Sequence, residues 1–416
     1  MRDQKKALGD MIRYAYNHTR YYRRVFDRIH IDPNTDEIDE FYSCIPVTTK
    51  SDYYNNKNDF ISDEYDISDL EVIKTSGSTG SILGAYWDKF DRVKSSVDMW
   101  RARREYGINS QSRVCYFHTI LKTFVGDGES VITSPIVYMP STNTLTFSKM
   151  KFDDSTLKFY YEKMIGFEPE WILCYPTTMF LFTEFMKRYD LPAPKSIKYL
   201  ELMGEVALPL HVRTIKEYFG SNVAVRTLYG MQETNGIAVE CNDGYLHILS
   251  NNVMVEIEKG GTVNRYADNG KIIVTSLINK AMPFIRYQTG DWGSLRPSDS
   301  VYNKNDILVI NNGRVNELIR RENASPLECG VFFYIVEYVN NIYSDCIKQF
   351  RIIQKGYHEF EAILNIENVD QMRDIENIFI RKAAEYGITG AWKFNYVDSI
   401  MPEKNGKLRY FISQLI

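Results

Sequence analysis

The sequence predicts an α/β protein, with a large N-terminal domain of layered α/β subdomains that includes a β section, and a small α+β domain at the C-terminus. Three observations predict it. Strand-like and helix-like runs alternate from about residue 70 to 230, the order that builds a largely parallel sheet between helices. After Thr234 the runs become short strands separated by Gly/Asn turns. After Gly313 the order is helix, strand, strand, helix, strand, which suits a small α+β unit. A chain of 416 residues exceeds what one core usually serves. The break falls in "NNGRVNEL", so domains of 1–313 and 314–416 are expected.

In chain order, residues 4–28 carry Leu8, Met11, Ile12 and Tyr16 at helical spacing and predict one helix. "IPVTTKSDY" (45–53) reads as a loop entering a short helix. "LEVIKTSGSTG" reads as a strand running into a Ser/Gly/Thr loop, followed by a helix over 91–107. "SRVCYF" and "SVITSPIVYM" read as strands, and "DDSTLKFYYEKMIGF" as a helix opened by Asp and Ser caps. Then come the strand "EWILCY", a helix over about 176–189, the strand "IKYLELMG", a helix over about 208–219 and "AVRTLYG". "YLHILS", "VMVEIEK", "GKIIVTSL" and "DILVINNG" form the antiparallel section. The last part is a helix at about 326–341, strands "IKQFRIIQ" and "HEFEAILNI", a helix over 369–386 and the strand "AWKFNYV".

Composition bounds the function. The chain is 44% hydrophobic and 25% charged, which is globular. A formal net charge of −4, with basic residues spread along the chain, gives no case for a nucleic-acid partner. The densest basic cluster, "RARRE" (101–105), reads as a solvated helix face. No run of about 18 mostly apolar residues predicts a membrane span, and "MRDQKKALGDMIRYAYNH" is too polar for a signal peptide. The six cysteines are scattered without a CxxC, as reduced thiols of a cytoplasmic protein are.

Four runs carry candidate chemistry. "KTSGSTG" (74–80) crowds glycines and hydroxyls, which can turn N–H and O–H groups onto one anion. It lacks the Walker spacing, and taken alone it is weak evidence, a plain turn being the simpler reading. "TLYGMQETNG" (227–236) sets Tyr229, able to stack on a base, four residues before Glu233, able to hold Mg²⁺; the plain alternative is a strand-end turn with a solvated Glu. "IRYQTGDWG" (285–293) places Asp291 after a glycine, where it could accept from both ribose hydroxyls or simply sit in a β-turn. "PEKNGKLRYF" (402–411) places Lys407 beside Gly406, as a reaching cation or as an exposed tail lysine.

In this order the motifs resemble the AMP-forming adenylating superfamily of acyl-CoA synthetases, peptide-synthetase adenylation domains and luciferases. The stretch "MIRYAYNHTRYYRRVF…IPVTTKSDY" resembles the phenylacetate–CoA ligase branch and its relatives from capsule biosynthesis. The resemblance implies that Thr75, Ser76, Gly77, Ser78, Thr79 and Gly80 close over the ATP phosphates. It implies that Gly204 and Glu205 border adenine, and that Tyr229, Gly230 and Met231 flank adenine and the substrate carboxylate. Glu233 would bind Mg²⁺, Asp291 the ribose, and Arg314 the ribose or phosphate. Asn316 would stand at the hinge and Lys407 on a mobile C-terminal domain. The implied catalytic set is Lys407, Glu233 and Thr79. Phe117, His118, Phe124, Tyr138 and Tyr175 are candidates for the acyl pocket, although His118 equally suits a buried core histidine.

The implied reaction activates a small carboxylic acid with ATP and Mg²⁺, then passes the acyl group to CoA, a carrier protein or an amine. "IRRENASPLECG" is short and lacks an early glycine, and Asn316 replaces the Asp or Lys common at the hinge; both weigh against CoA. Some relatives hold zinc through a pair such as Cys241 and His247 plus a later cysteine pair. Residues 296–312 contain no cysteine, so zinc is not expected. A homodimer is compatible with the sequence. The contrasting class is an idle relative serving as a scaffold, against which the presence of Glu233, Asp291 and Lys407 argues.

Overall fold

The structure is a computed structural model. It describes all residues except 1–3, 35–37, 75–83, 119–134, 150–152, 206, 315–317, 323, 330, 344–345, 367–371, 402–408 and 416. The predicted α/β class is the class observed. The chain divides into two compact units, one made of Met1–Glu105 and Thr227–Asn311, the other of Tyr106–Arg226 and Asn312–Ile416.

In the first unit the single helix expected over 4–28 is two, Gln4–His18 and Arg20–Arg28. The apolar periodicity continues across Thr19, but its hydroxyl donates to the Ala15 carbonyl and accepts from the Tyr22 amide, which caps the second helix at an extended residue. The helix expected over 91–107 is likewise Lys89–Ser95 followed by Val97–Arg104. After Thr234 the antiparallel reading holds. Val253–Lys259 pairs antiparallel with Ala267–Ser276, which pairs antiparallel with Tyr287–Arg296. The core sets Ile257, Ile272 and Val274 of these strands against Tyr22, Phe26, Tyr53, Phe60 and Trp87.

In the second unit Val114–His118 pairs in parallel with Thr144–Ser148 and with Trp171–Cys174, and the latter with Tyr199–Met203. Ile136–Met139 pairs antiparallel with Thr144–Ser148. The helices Asp154–Phe167 and Pro176–Arg188 follow two of these strands, supplying the crossover connection that parallel neighbours need. Toward the C-terminus the sheet order is Ala391–Tyr396, Glu359–Ile366, Ile347–Gly356, Phe411–Ser413. The helix expected from 326 starts at Val331. Ala324–Glu328 is instead a strand paired with Leu318–Arg321, a two-stranded setting that tolerates the missing N–H of Pro326.

One buried histidine in this unit predicts a pH dependence. His211, on the helix Pro209–Phe219, is fully buried and stacks on Phe180 at 4.2 Å. Its Nε2–H faces the Lys348 carbonyl at 3.4 Å. Burial pulls its pKa from 6.5 down to about 4. The unfolded chain therefore binds a proton between those values where the folded protein does not. Stability is full above this window and falls as pH drops through it, by roughly 3 kcal/mol at the full extent. Urea titrations at pH 7 and pH 4.5 check this, with His211→Gln expected to flatten that component.

Candidate active site

In the first unit the strand Ala224–Met231 turns into Asn235–Glu240, with Gly230 opposite Gly236 and Met231 opposite Asn235. The two strands meet so closely that a Cβ on Gly230 would lie 2.7 Å from the Asn235 carbonyl oxygen. Asn235 takes a left-handed φ of 63°, and its amide donates to Ser95 Oγ at 2.8 Å. Trp87 Nε1 donates to the Gln232 carbonyl at 2.9 Å. The turn that carries Glu233 is thus held on both sides.

Glu233 is only 4% exposed. Tyr287 donates its hydroxyl to Glu233 Oε1 at 3.0 Å. The Tyr287 ring is edge-on to Tyr53 and Phe284. Burial, and next the Glu233 charge, push this phenol well above its ordinary range, so it serves as a fixed donor. Tyr229 donates to Asp291 Oδ2 at 2.8 Å. Two stretches far apart in sequence thereby converge, each supplying one carboxylate and one phenol.

The presentation of Asp291 comes from a bulge. Lys271 pairs with Trp292 and Ile273 with Gln288, so Ile272 alone faces Thr289, Gly290 and Asp291. Gly290 takes a φ of +86°, which a side chain would resist. Thr289 ties the bulge, donating to the Ile272 carbonyl and accepting from the Asp291 amide, both at 3.1 Å.

Two residues of "IRYQTGDWG" went unread in the sequence. Tyr287 anchors Glu233, and Arg286 anchors Tyr287. Arg286 is buried with a left-handed φ of 46°. Its guanidinium donates to the carbonyls of Tyr42, Ser43 and Ile45 and lies 3.3 Å from Glu256 Oε2. Tyr42 donates to the same Glu256 oxygen at 2.8 Å. Burial outweighs Arg286 in raising the Glu256 pKa above the usual carboxylate value. Thr48 bonds the backbone on both sides of Tyr287, accepting from Gln288 and donating to Arg286. "IPVTT" is thus the brace of this corner.

In the second unit His118, Tyr175, Gly204 and Glu205 follow or end the parallel strands at their carboxyl ends. That edge is where open α/β sheets take ligands. Gly204 has a φ of +81°, and a Cβ there would lie 2.7 Å from the Tyr175 ring. Burial, and next the Glu205 charge, push the Tyr175 phenol up to about 12. Phe117 packs instead in the core among Phe147, Tyr160 and Phe182. Tyr138 lies half-exposed on the outer strand against Phe167. The loop Thr75–Gly80, Phe124, Asn316 and Lys407 lie outside the described residues, as does the side chain of Arg314.

His247 is fully buried, with Nε2 3.0 Å from Asp243 Oδ2 and Nδ1 donating to the Asn305 carbonyl at 2.8 Å. Asn303 donates to Cys241 Sγ at 3.5 Å. Among the described residues no group of three His, Cys, Asp or Glu side chains could hold a metal ion, and no helix is long and apolar enough to cross a membrane.

Residues 330–414 match the CapK C-terminal domain family. The chain is 20% identical to protein CapK of Staphylococcus aureus over 99% of its own length and 89% of that protein. It is 23% identical to phenylacetate-coenzyme A ligase of Thermus thermophilus over 69% of its own length and 64% of that enzyme. Its fold matches 2-hydroxyisobutyryl-CoA ligase in the postadenylation state in complex with 2-HIB-AMP. The TM-score is 0.76 at 15% identity, covering 99% of this chain and 89% of the ligase. The C-terminal part of the chain thus matches the CapK C-terminal domain family, the chain is similar in sequence to protein CapK and to a phenylacetate-coenzyme A ligase, and its fold is the one seen in that CoA ligase structure.

Proposed function

We propose that this protein activates a carboxylic acid as an acyl-adenylate and then transfers the acyl group to a thiol, that of CoA or of a carrier. One observation carries the reading: Glu233 and Asp291, each fixed by a buried or half-buried tyrosine, meet in one unit from distant stretches of sequence. The phenylacetate-coenzyme A ligase relative and the ligase caught with an acyl-AMP support it.

In the first half-reaction an oxygen of the acid attacks the α-phosphorus of ATP. The bond from that phosphorus to the bridging oxygen breaks, and pyrophosphate leaves with the electron pair. The protein aligns the groups and offsets charge. Asp291 accepts from the ribose hydroxyls. Tyr229, Gly230, Met231, Gly204 and Glu205 border the base and the carboxylate. The 75–80 loop closes on the phosphates, and Arg314 contacts ribose or phosphate. Glu233, a hard oxygen donor held by Tyr287, suits Mg²⁺, which neutralises phosphate charge when bound. Lys407 serves this half-reaction from a C-terminal domain, 314–416, that moves about Asn316 relative to 1–313. A non-CoA acceptor such as an amine is the second reading, favoured by the glycine-poor "IRRENASPLECG".

Pyrophosphate release with a panel of carboxylic acids, run with and without CoA, tests the proposal. ATP-dependent release with at least one acid is expected, and Lys407→Ala should lower it by about 10²–10³-fold. No release with any acid, together with no ATP binding, would leave the scaffold reading.

A further inference from the structure

The antiparallel section of the first unit holds a cavity of about 230 Å³ away from Glu233 and Asp291. The strands Val253–Lys259, Ala267–Ser276, Tyr287–Arg296, Ile307–Arg314 and Leu246–Ile248 follow one another in the sheet. Val255 and Ile248 belong to the two ends of that run and Leu295 to its middle strand, yet all three line the cavity. The run therefore curls on itself, and the cavity is its mouth, a common seat for small ligands. Ile248, Val255 and Leu295 are buried and form an apolar floor. Leu295 stands four residues past Asp291 on the same strand, roughly 13 Å away at the rise of a strand, so the two places are distinct.

The rim is polar and fastened in place. Gln4 donates its side-chain amide to the carbonyls of Ser250 and Val253, at 3.3 and 2.9 Å. Ser250 donates its hydroxyl to the Asn305 side chain at 3.0 Å. The Asn305 carbonyl accepts from the buried His247, and the Asp306 carbonyl accepts from the Ile248 amide at 2.9 Å. The His247–Asp243 pair thereby anchors the segment that carries Lys304, Asn305 and Asp306. Arg265 lies 2.9 Å from Asp306 Oδ2, and Tyr266 donates to the same carboxylate. Arg265 and Asp306 offset one another, and Lys304 leaves the lining with one net positive charge.

We infer that this mouth is a second, non-catalytic binding site, and that it takes a small monoanion with a short apolar body. The body covers the floor of Ile248, Val255 and Leu295, removing its hydrocarbon from water. The anionic head meets Lys304 beside Arg265 in a charge-assisted hydrogen bond. A neutral ligand forgoes that bond, and a bare inorganic anion leaves the floor wet. The site stands independently of the adenylation reading.

The probe is hexanoate, added to the full-length protein without ATP. The readout is the NMR signal of the Ile248 δ-methyl group in isoleucine-labelled protein, assigned with Ile248→Val. Hexanoate is expected to shift that signal saturably and to bind about 10–100-fold more tightly than hexanamide, the range of one hydrogen bond to a charged group. Lys304→Glu, at an exposed position, should abolish hexanoate binding and admit 1-aminohexane in its place, whereas Asp291→Ala should leave hexanoate binding unchanged. Three results overturn the assignment: an Ile248 signal that hexanoate does not move, equal affinities for hexanoate and hexanamide, or binding that survives Lys304→Glu but is lost in Asp291→Ala, which would put the acid in the candidate active site. Failure of the adenylation reading shows separately, as no pyrophosphate release with any acid, and leaves this assignment standing.

Discussion

Glu233→Ala is expected to slow acyl-adenylate formation by about 10²–10³-fold, the usual consequence of removing one preorganised electrostatic partner from a phosphoryl or acyl transfer site. The same change strands the buried Tyr287 hydroxyl, which now donates to Glu233 at 3.0 Å. An unsatisfied buried polar group costs about 1–3 kcal/mol, so the melting temperature should fall as well. The two effects separate in a double variant. Adding Tyr287→Phe removes the orphaned hydroxyl and should restore much of the stability, while the exchange of pyrophosphate into ATP stays low. Exchange within a few-fold of wild type in Glu233→Ala would show that this carboxylate has no part in nucleotide chemistry.

Arg286→Met is expected to destabilise the protein by about 3–5 kcal/mol, the scale for breaking a buried ion pair from one side. The guanidinium serves three backbone carbonyls between Tyr42 and Ile45 as well as Glu256. Removing it leaves all four acceptors without that donor, in a place where Glu256 is already held with difficulty as an anion. Because Arg286 directly precedes Tyr287, a loosened corner should also weaken the hold on Glu233. Combining Arg286→Met with Glu256→Leu should recover part of the loss, since no isolated charge then remains buried. Denaturant titration of the single and double variants measures this; a single variant within 1 kcal/mol of wild type (about 1 kcal/mol being the centre of ordinary point substitutions) would contradict the clamp.

The elements and the chemistry-bearing side chains differ in how far the sequence reveals them. Tyr229, Glu233 and Asp291 stand out because each sits beside a glycine or turn that would be expensive inside a regular strand. The parallel and antiparallel sections are legible because the alternation of strands and helices stops at Thr234. The breaks at Thr19 and Ser96 are not, because the apolar spacing runs through them and only a hydroxyl cap marks the first. Arg286 and Tyr287 stayed hidden for another reason. Their partners lie far off in sequence, with Tyr42 244 positions from Arg286, and no local pattern records such a contact.

The bulge before Trp292 has a consequence for how this protein could lose its activity. Two surplus residues, not one, sit opposite Ile272, so the inward and outward order of side chains is the same on both flanks. Excising two codons there would close this interruption of the ladder and keep the alternation of side chains, leaving the other irregularity, between Ala267 and Gly270, as it is. A descendant with that deletion would still fold, yet would no longer offer Asp291 to Tyr229. Relatives that have lost the proposed activity are therefore best recognised by a short gap in that strand, ahead of any change in the residues around it.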